Sequence, residues 1–116
     1  VDEARLQQAD QLRYDGQYDE AIVVYDELLA ADPGAYQARW ARALAYCFTG
    51  LFDESIAELE QVRAEQPKFL KARVDLFKTY LMLGMNDEAK AEMKAVLALD
   101  PSNEEVHKHK IYFPDF

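Results

Sequence analysis

Tyr36-Gln37-Ala38-Arg39-Trp40-Ala41-Arg42-Ala43-Leu44-Ala45-Tyr46-Cys47-Phe48-Thr49-Gly50-Leu51-Phe52-Asp53-Glu54-Ser55-Ile56, running on to Gln66-Pro67, decides the fold. Tyr36, Trp40, Ala43, Leu44 and Cys47 recur at steps of three and four, the spacing of one helix face. Phe52, Ile56, Leu59 and Val62 form a second such stripe. Gly50 separates the two runs and Pro67 closes the second. A shift of 34 residues brings the punctuation back: Gly16, Gly50, Gly84 and Pro33, Pro67, Pro101. Asp-Glu pairs recur at Asp19-Glu20, Asp53-Glu54 and Asp87-Glu88, and Ala-Arg pairs at Ala4-Arg5, Ala38-Arg39 and Ala72-Arg73. A fixed period of this size marks a repeat architecture. One helical hairpin cannot bury its stripe alone, and three stacked copies make a continuous core.

The flanking copies follow the same plan. Residues 2–15 predict a helix with a thin apolar stripe, Leu6, Ala9 and Leu12, and Gly16 ends it because a left-handed residue costs glycine least. A second helix is expected from near Asp19, with Asp19 as N-cap and Asp19 and Glu20 on the positive end of the helix dipole. Asp32-Pro33-Gly34 stops it. The third copy offers Leu70, Val74, Phe77 and Leu81, then Ala89, Met93, Val96 and Leu97. Small residues, Ala9 with Ala43 and Ala21 with Ala89, mark close helix approaches, interrupted by Phe77 and Ser55. Ser102 with Glu105 resembles a capping box, predicting a seventh helix that covers the end of the third copy. No stretch alternates with period two, so no sheet is expected.

Length and composition fit one domain, 1–116, of repeats 2–35, 36–69 and 70–103 with a capping helix and apolar tail, 104–116. The net charge of −9 disfavours nucleic acid and favours a basic or amphipathic protein partner, although acidity also serves solubility. No apolar run approaches the ~20 residues of a membrane helix, so no membrane insertion is expected. One cysteine, Cys47, is compatible with a reducing, cytoplasmic compartment. With no initiator methionine, the chain reads as a piece of a longer protein.

These residues resemble the tetratricopeptide repeat family. Ala9, Gly16, Tyr18, Ala21, Tyr25 and Pro33 fall on its pattern, as do Ala43, Tyr46, Gly50, Phe52, Ser55 and Pro67, and then Tyr80, Gly84, Ala89 and Pro101. Two departures stand out. The fourth position, often a large aromatic, is arginine in every copy (Arg5, Arg39, Arg73), and Asn86 replaces the aromatic held by Tyr18 and Phe52. The resemblance implies an all-α, right-handed solenoid of three helix-turn-helix repeats with a seventh capping helix. It also implies a concave groove that binds peptides or helices of other proteins. The groove positions fall on Leu6, Asp10 and Arg13, with Glu3 and Gln7; on Gln37, Trp40, Ala41, Leu44 and Phe48, with Cys47; and on Lys71, Val74, Asp75 and Lys78, with Leu81 and Met82. Family members that hold acidic chaperone tails use a two-carboxylate clamp. The matching positions are Leu6, Asp10, Ala41, Lys71 and Asp75, where only Lys71 fits, and the two aspartates would repel such a tail.

Trp40, Leu44, Leu6 and Val74 can floor the groove or belong to the core between repeats, and the pattern leaves both open. Lys71 and Lys78 flank Asp75 and can pair a partner carboxylate or remain a solvated face. His107 and His109, two apart, point about 200° apart on a helix and cannot share a metal. Cys47 reads as a small buried hydrophobe. There is no phosphate loop, metal-spaced cluster or nucleophile motif, so no catalytic residue, metal or cofactor is expected. The residues point to a non-catalytic interaction scaffold that takes a peptide or amphipathic helix. The alternatives are a scaffold that self-associates through Ile111, Tyr112, Phe113 and Phe116 or its end repeats, and, by fold analogy alone, a small chaperone for secreted subunits.

Overall fold

The computed structural model describes residues 1–110 and Phe113. Its elements are α1 (Glu3–Tyr14), α2 (Tyr18–Ala31), α3 (Tyr36–Phe48), α4 (Phe52–Glu65), α5 (Leu70–Met82), α6 (Asn86–Leu99) and α7 (Glu104–His107), with no strand among the described residues. They divide into two compact units, Val1–Glu65 with α1 to α4 and Gln66–Phe116 with α5 to α7.

One turn is built three times. After α1, the Gly16 N–H bonds the Arg13 carbonyl at 3.0 Å and the Gln17 N–H bonds that of Leu12 at 2.8 Å. Gly50 and Leu51 repeat this pair of bonds after α3, and Gly84 and Met85 after α5. This is the Schellman closure, which satisfies carbonyls that the helix end leaves without partners. It needs a left-handed residue, and the three glycines have φ of 81°, 82° and 75°. The proline stops work differently. Asp32 and Asp100 precede prolines and take extended backbone, φ −141° and −145°, because the proline ring disfavours helical geometry before it.

Two helix starts differ from expectation. α2 opens at Tyr18 behind Gln17, which makes no side-chain cap, so Asp19 acts only within the first turn on the dipole. α7 is capped by Asn103, whose Oδ1 accepts the Val106 N–H at 3.1 Å, while the Ser102 hydroxyl turns to Asp100. Both Ser and Asn suit an N-cap, and here the later one takes it.

In the first unit α1 packs on α2, α2 on α3 and α3 on α4. Its small positions serve close approach: Ala9, Ala21, Ala43 and Ser55 are fully buried. The Ser55 hydroxyl donates to the Ala43 carbonyl at 2.8 Å, so a polar residue fits where alanine otherwise recurs. In the second unit α5 packs on α6, and α7 packs on both, over a core that includes Leu76, Phe77, Met93, Val96 and Val106. Of the apolar ending, Phe113 is buried and its N–H bonds the Lys110 carbonyl at 2.9 Å; Ile111, Tyr112 and Phe116 lie outside the described residues.

The repeated arginine has a structural explanation. Arg39 donates to the Pro33 carbonyl at 3.0 Å and pairs with Glu58 at 3.4 Å. Arg73 donates to the Pro67 carbonyl at 2.8 Å and pairs with Glu92 at 3.4 Å. Each guanidinium therefore ties the loop before its hairpin to the second helix of that hairpin. Arg5 pairs with Glu27 of α2. The fit is imperfect at Arg39, whose buried Nε has no hydrogen-bond partner among the described residues.

Candidate functional site

In the first unit, the proposed binding residues lie on α1 and α3. Leu6 and Ala41 are 7% and 2% exposed and belong to one apolar cluster with Ala9, Tyr25 and Leu28. Trp40 is half-buried and packs against that cluster, so its ring is part core and part surface. Leu44 is half-buried, Gln37 is exposed, and Phe48 is 65% exposed. Sequence periodicity offered groove or core for Trp40; the ring sits at the boundary.

Asp10 and Arg13, on the same face of α1, are fixed by Tyr25 of α2. The Arg13 Nε donates to the Tyr25 oxygen at 3.1 Å, and the Tyr25 hydroxyl donates to Asp10 Oδ1. The Arg13 guanidinium also lies 4.7 Å from the Tyr14 ring centroid and 5.9 Å from that of Trp40, within cation–π range. Burial disfavours charge on Arg13, but Tyr25 and Asp10 outweigh it and its pKa is raised. Burial, with the bond to Asp10, pushes the Tyr25 phenol well above its ordinary range. Further along α3, Arg42 grips Glu58 of α4 at 2.7 Å and Asp26 of α2 at 2.8 Å, which ties α3 to both neighbouring helices.

In the second unit Val74 is 8% exposed and thus core, Asp75 is half-buried, and Lys71 and Lys78 are exposed. Lys78 pairs with Glu105 of α7 at 3.5 Å, and Lys108 with Glu105 at 3.3 Å. The Lys108 hydrogen bond and the Lys78 charge hold the Glu105 carboxyl below its ordinary range. A cavity of about 480 Å³ opens beside Lys78, lined also by Leu81, Met82, Asn86 and His109. Asn86 stands where the first repeat has Tyr18, whose ring stacks on Phe48. His109 is positioned edge-on to Phe77, with ring centroids 5.7 Å apart.

Sequence reasoning passed over Tyr14, which is 71% exposed. Its signal was available: Tyr14 lies one period of 34 before Phe48. Among the described residues no group of three or more His, Cys, Asp or Glu is placed to hold a metal, and no helix is long and apolar enough to cross a membrane.

No curated protein sequence matches the chain. Structural likeness is close. The first repeat domain of Spaghetti (RPAP3), bound to HSP90 peptide SRMEEVD, is 25% identical over 97% of this chain and 89% of its own, with a TM-score of 0.88. The Arabidopsis OM64 domain is 18% identical over 97% and 93%, also at 0.88. The Yersinia enterocolitica type III secretion translocator chaperone SycD is 17% identical over 97% and 86%, at 0.81. These likenesses identify a helical-repeat solenoid fold. The family described as Tetratricopeptide repeat matches residues 12–68 and again 50–110, and the chain belongs to it.

Proposed function

We propose that this protein binds a segment of another protein, an extended peptide or an amphipathic helix, on the face formed by α1 and α3. Its family fold is a non-enzymatic interaction fold and the chain is a protein–protein interaction scaffold, in keeping with the peptide-bound Spaghetti domain. The observation that carries the finer reading is Trp40. Its ring rests partly on the core and stays partly open, on the same helix as half-buried Leu44 and exposed Phe48. A rigid aromatic held from beneath is well prepared to anchor a partner's apolar side chain.

The ligand class differs from that of Spaghetti. SRMEEVD carries three acidic side chains. Here Asp10 and Asp75 stand at positions where clamp-type members carry Asn and Arg, Leu6 and Ala41 stand where they carry Lys and Asn, and only Lys71 matches.

The test is selection of peptides from a random display library on the full chain. Selected peptides should bind Trp40→Ala at least ~10-fold more weakly, with helical circular dichroism retained, as for an anchor residue. Because Trp40 also touches the core, Leu44→Asp is the second variant. Selected peptides that bind both variants as well as wild type would remove the α1–α3 face from the account.

A further inference from the structure

The net charge of −9 is unevenly placed. Residues 1–65 carry 14 Asp and Glu against 5 Arg and no Lys, whereas residues 66–116 balance 8 against 8. Every arginine of the first unit already has an internal acid: Arg5 has Glu27, Arg13 has Asp10, Arg39 and Arg42 share Glu58, and Arg63 has Glu60. No cation of this unit is thus left over to meet an acidic partner.

Apolar surface gathers at one end of the same unit. Tyr14 ends α1, Tyr18 opens α2 and Phe48 ends α3. The Tyr18 and Phe48 rings stack with centroids 5.3 Å apart and planes 11° apart, which joins the first hairpin to the second. Stacking does not close the site, because Phe48 and Tyr14 keep most of their surface in water. Exposed carboxylates flank these rings along the chain: Asp15 after Tyr14, Asp19 and Glu20 after Tyr18, and Asp53 and Glu54 at the start of α4. The acids that open α2 and α4 also complement helix dipoles, which explains their sign. It does not explain two large aromatics left in water beside them. Aromatic faces and carboxylates share one preference, for cations carried on apolar stems, as in lysine and arginine.

We propose that this aromatic, acidic edge docks a lysine- or arginine-rich segment of a protein partner, with apolar residues interleaved. The inference rests on the α1–α3 face as the binding surface, with which it shares Phe48, and it names the partner's chemistry.

Two labelled synthetic peptides of equal length test it on the full chain: a Lys/Leu amphipathic helix and its Glu/Leu counterpart. Fluorescence polarisation gives affinity, and Trp40 emission reports on the α1–α3 face. The Lys/Leu peptide should bind at least ~10-fold tighter, and raising NaCl from about 50 to about 300 mM should weaken it about 10-fold. Phe48→Ala should weaken it about 10-fold with helicity unchanged. Asp19→Asn with Glu20→Gln should flatten the salt dependence. Equal affinity for the two peptides would overturn the cationic preference while leaving the α1–α3 face in place. Binding that shifts Trp40 emission but ignores Phe48→Ala and Tyr14→Ala would overturn the edge and likewise keep the face. Binding of neither peptide would overturn the inference, and the library selection would then decide the face separately.

Discussion

At the scale of single residues, Tyr25 is where packing and charge meet. Its phenol is buried between Asp10 and Arg13, and its raised pKa keeps the proton on in the folded state. An unfolded tyrosine ionises near pH ~10, so from there upward the unfolded chain holds fewer protons and stability falls as pH rises. Denaturant melts across this range should therefore show a steeper alkaline loss for wild type than for Tyr25→Phe. Ala43 tests packing: it is fully buried and its carbonyl receives the Ser55 hydroxyl. Ala43→Leu should cost about 1–3 kcal/mol in chemical denaturation, since the extra methylenes have no room. Both sites show what sequence carries at this scale. Spacing identified Ala43 as a close-contact position because size alone decides it. It could not reveal that Asp10 and Arg13 are joined through a hydroxyl on the next helix, or that Trp40 straddles core and surface. Those facts depend on side-chain direction, which periodicity resolves only to a broad face.

At the scale of elements, helix ends were legible where one residue type answers one backbone demand. Gly50 sits at φ 82°, and a Cβ there would meet nothing within 4 Å, so the demand is purely conformational. Gly50→Ala should cost about 1–2 kcal/mol, the left-handed penalty, read as a fall in melting temperature. Gly34 has no positive φ and an added Cβ would make only an ordinary 3.7 Å contact with Asp32, so Gly34→Ala should be neutral or slightly stabilising. Helix starts were less legible. Gln17 precedes α2 with no capping side chain, and Asn103 beside Ser102 gave two chemically adequate caps for α7. The fourth-position arginine stood out in the sequence as a departure from the family. Its reason needed geometry, because the carbonyls of Pro33 and Pro67 are invisible to residue patterns.

At the scale of the molecule, the repeat period established the family and with it the class of function. The partner's chemistry is written more faintly. A net charge taken over the whole chain hides that residues 1–65 hold all of the excess acid and that their arginines are spent on internal pairs. The same distribution predicts that an SRMEEVD-type acidic peptide binds this chain at least ~10-fold more weakly than a Lys/Leu helix, in a side-by-side polarisation titration. Docking of a partner segment on α1 and α3 can be tested by amide chemical-shift mapping with a library-selected peptide. The largest shifts should fall on residues 6–14 and 37–48. Shifts confined to α2, α4 or α6, with α1 and α3 unmoved at saturation, would contradict it.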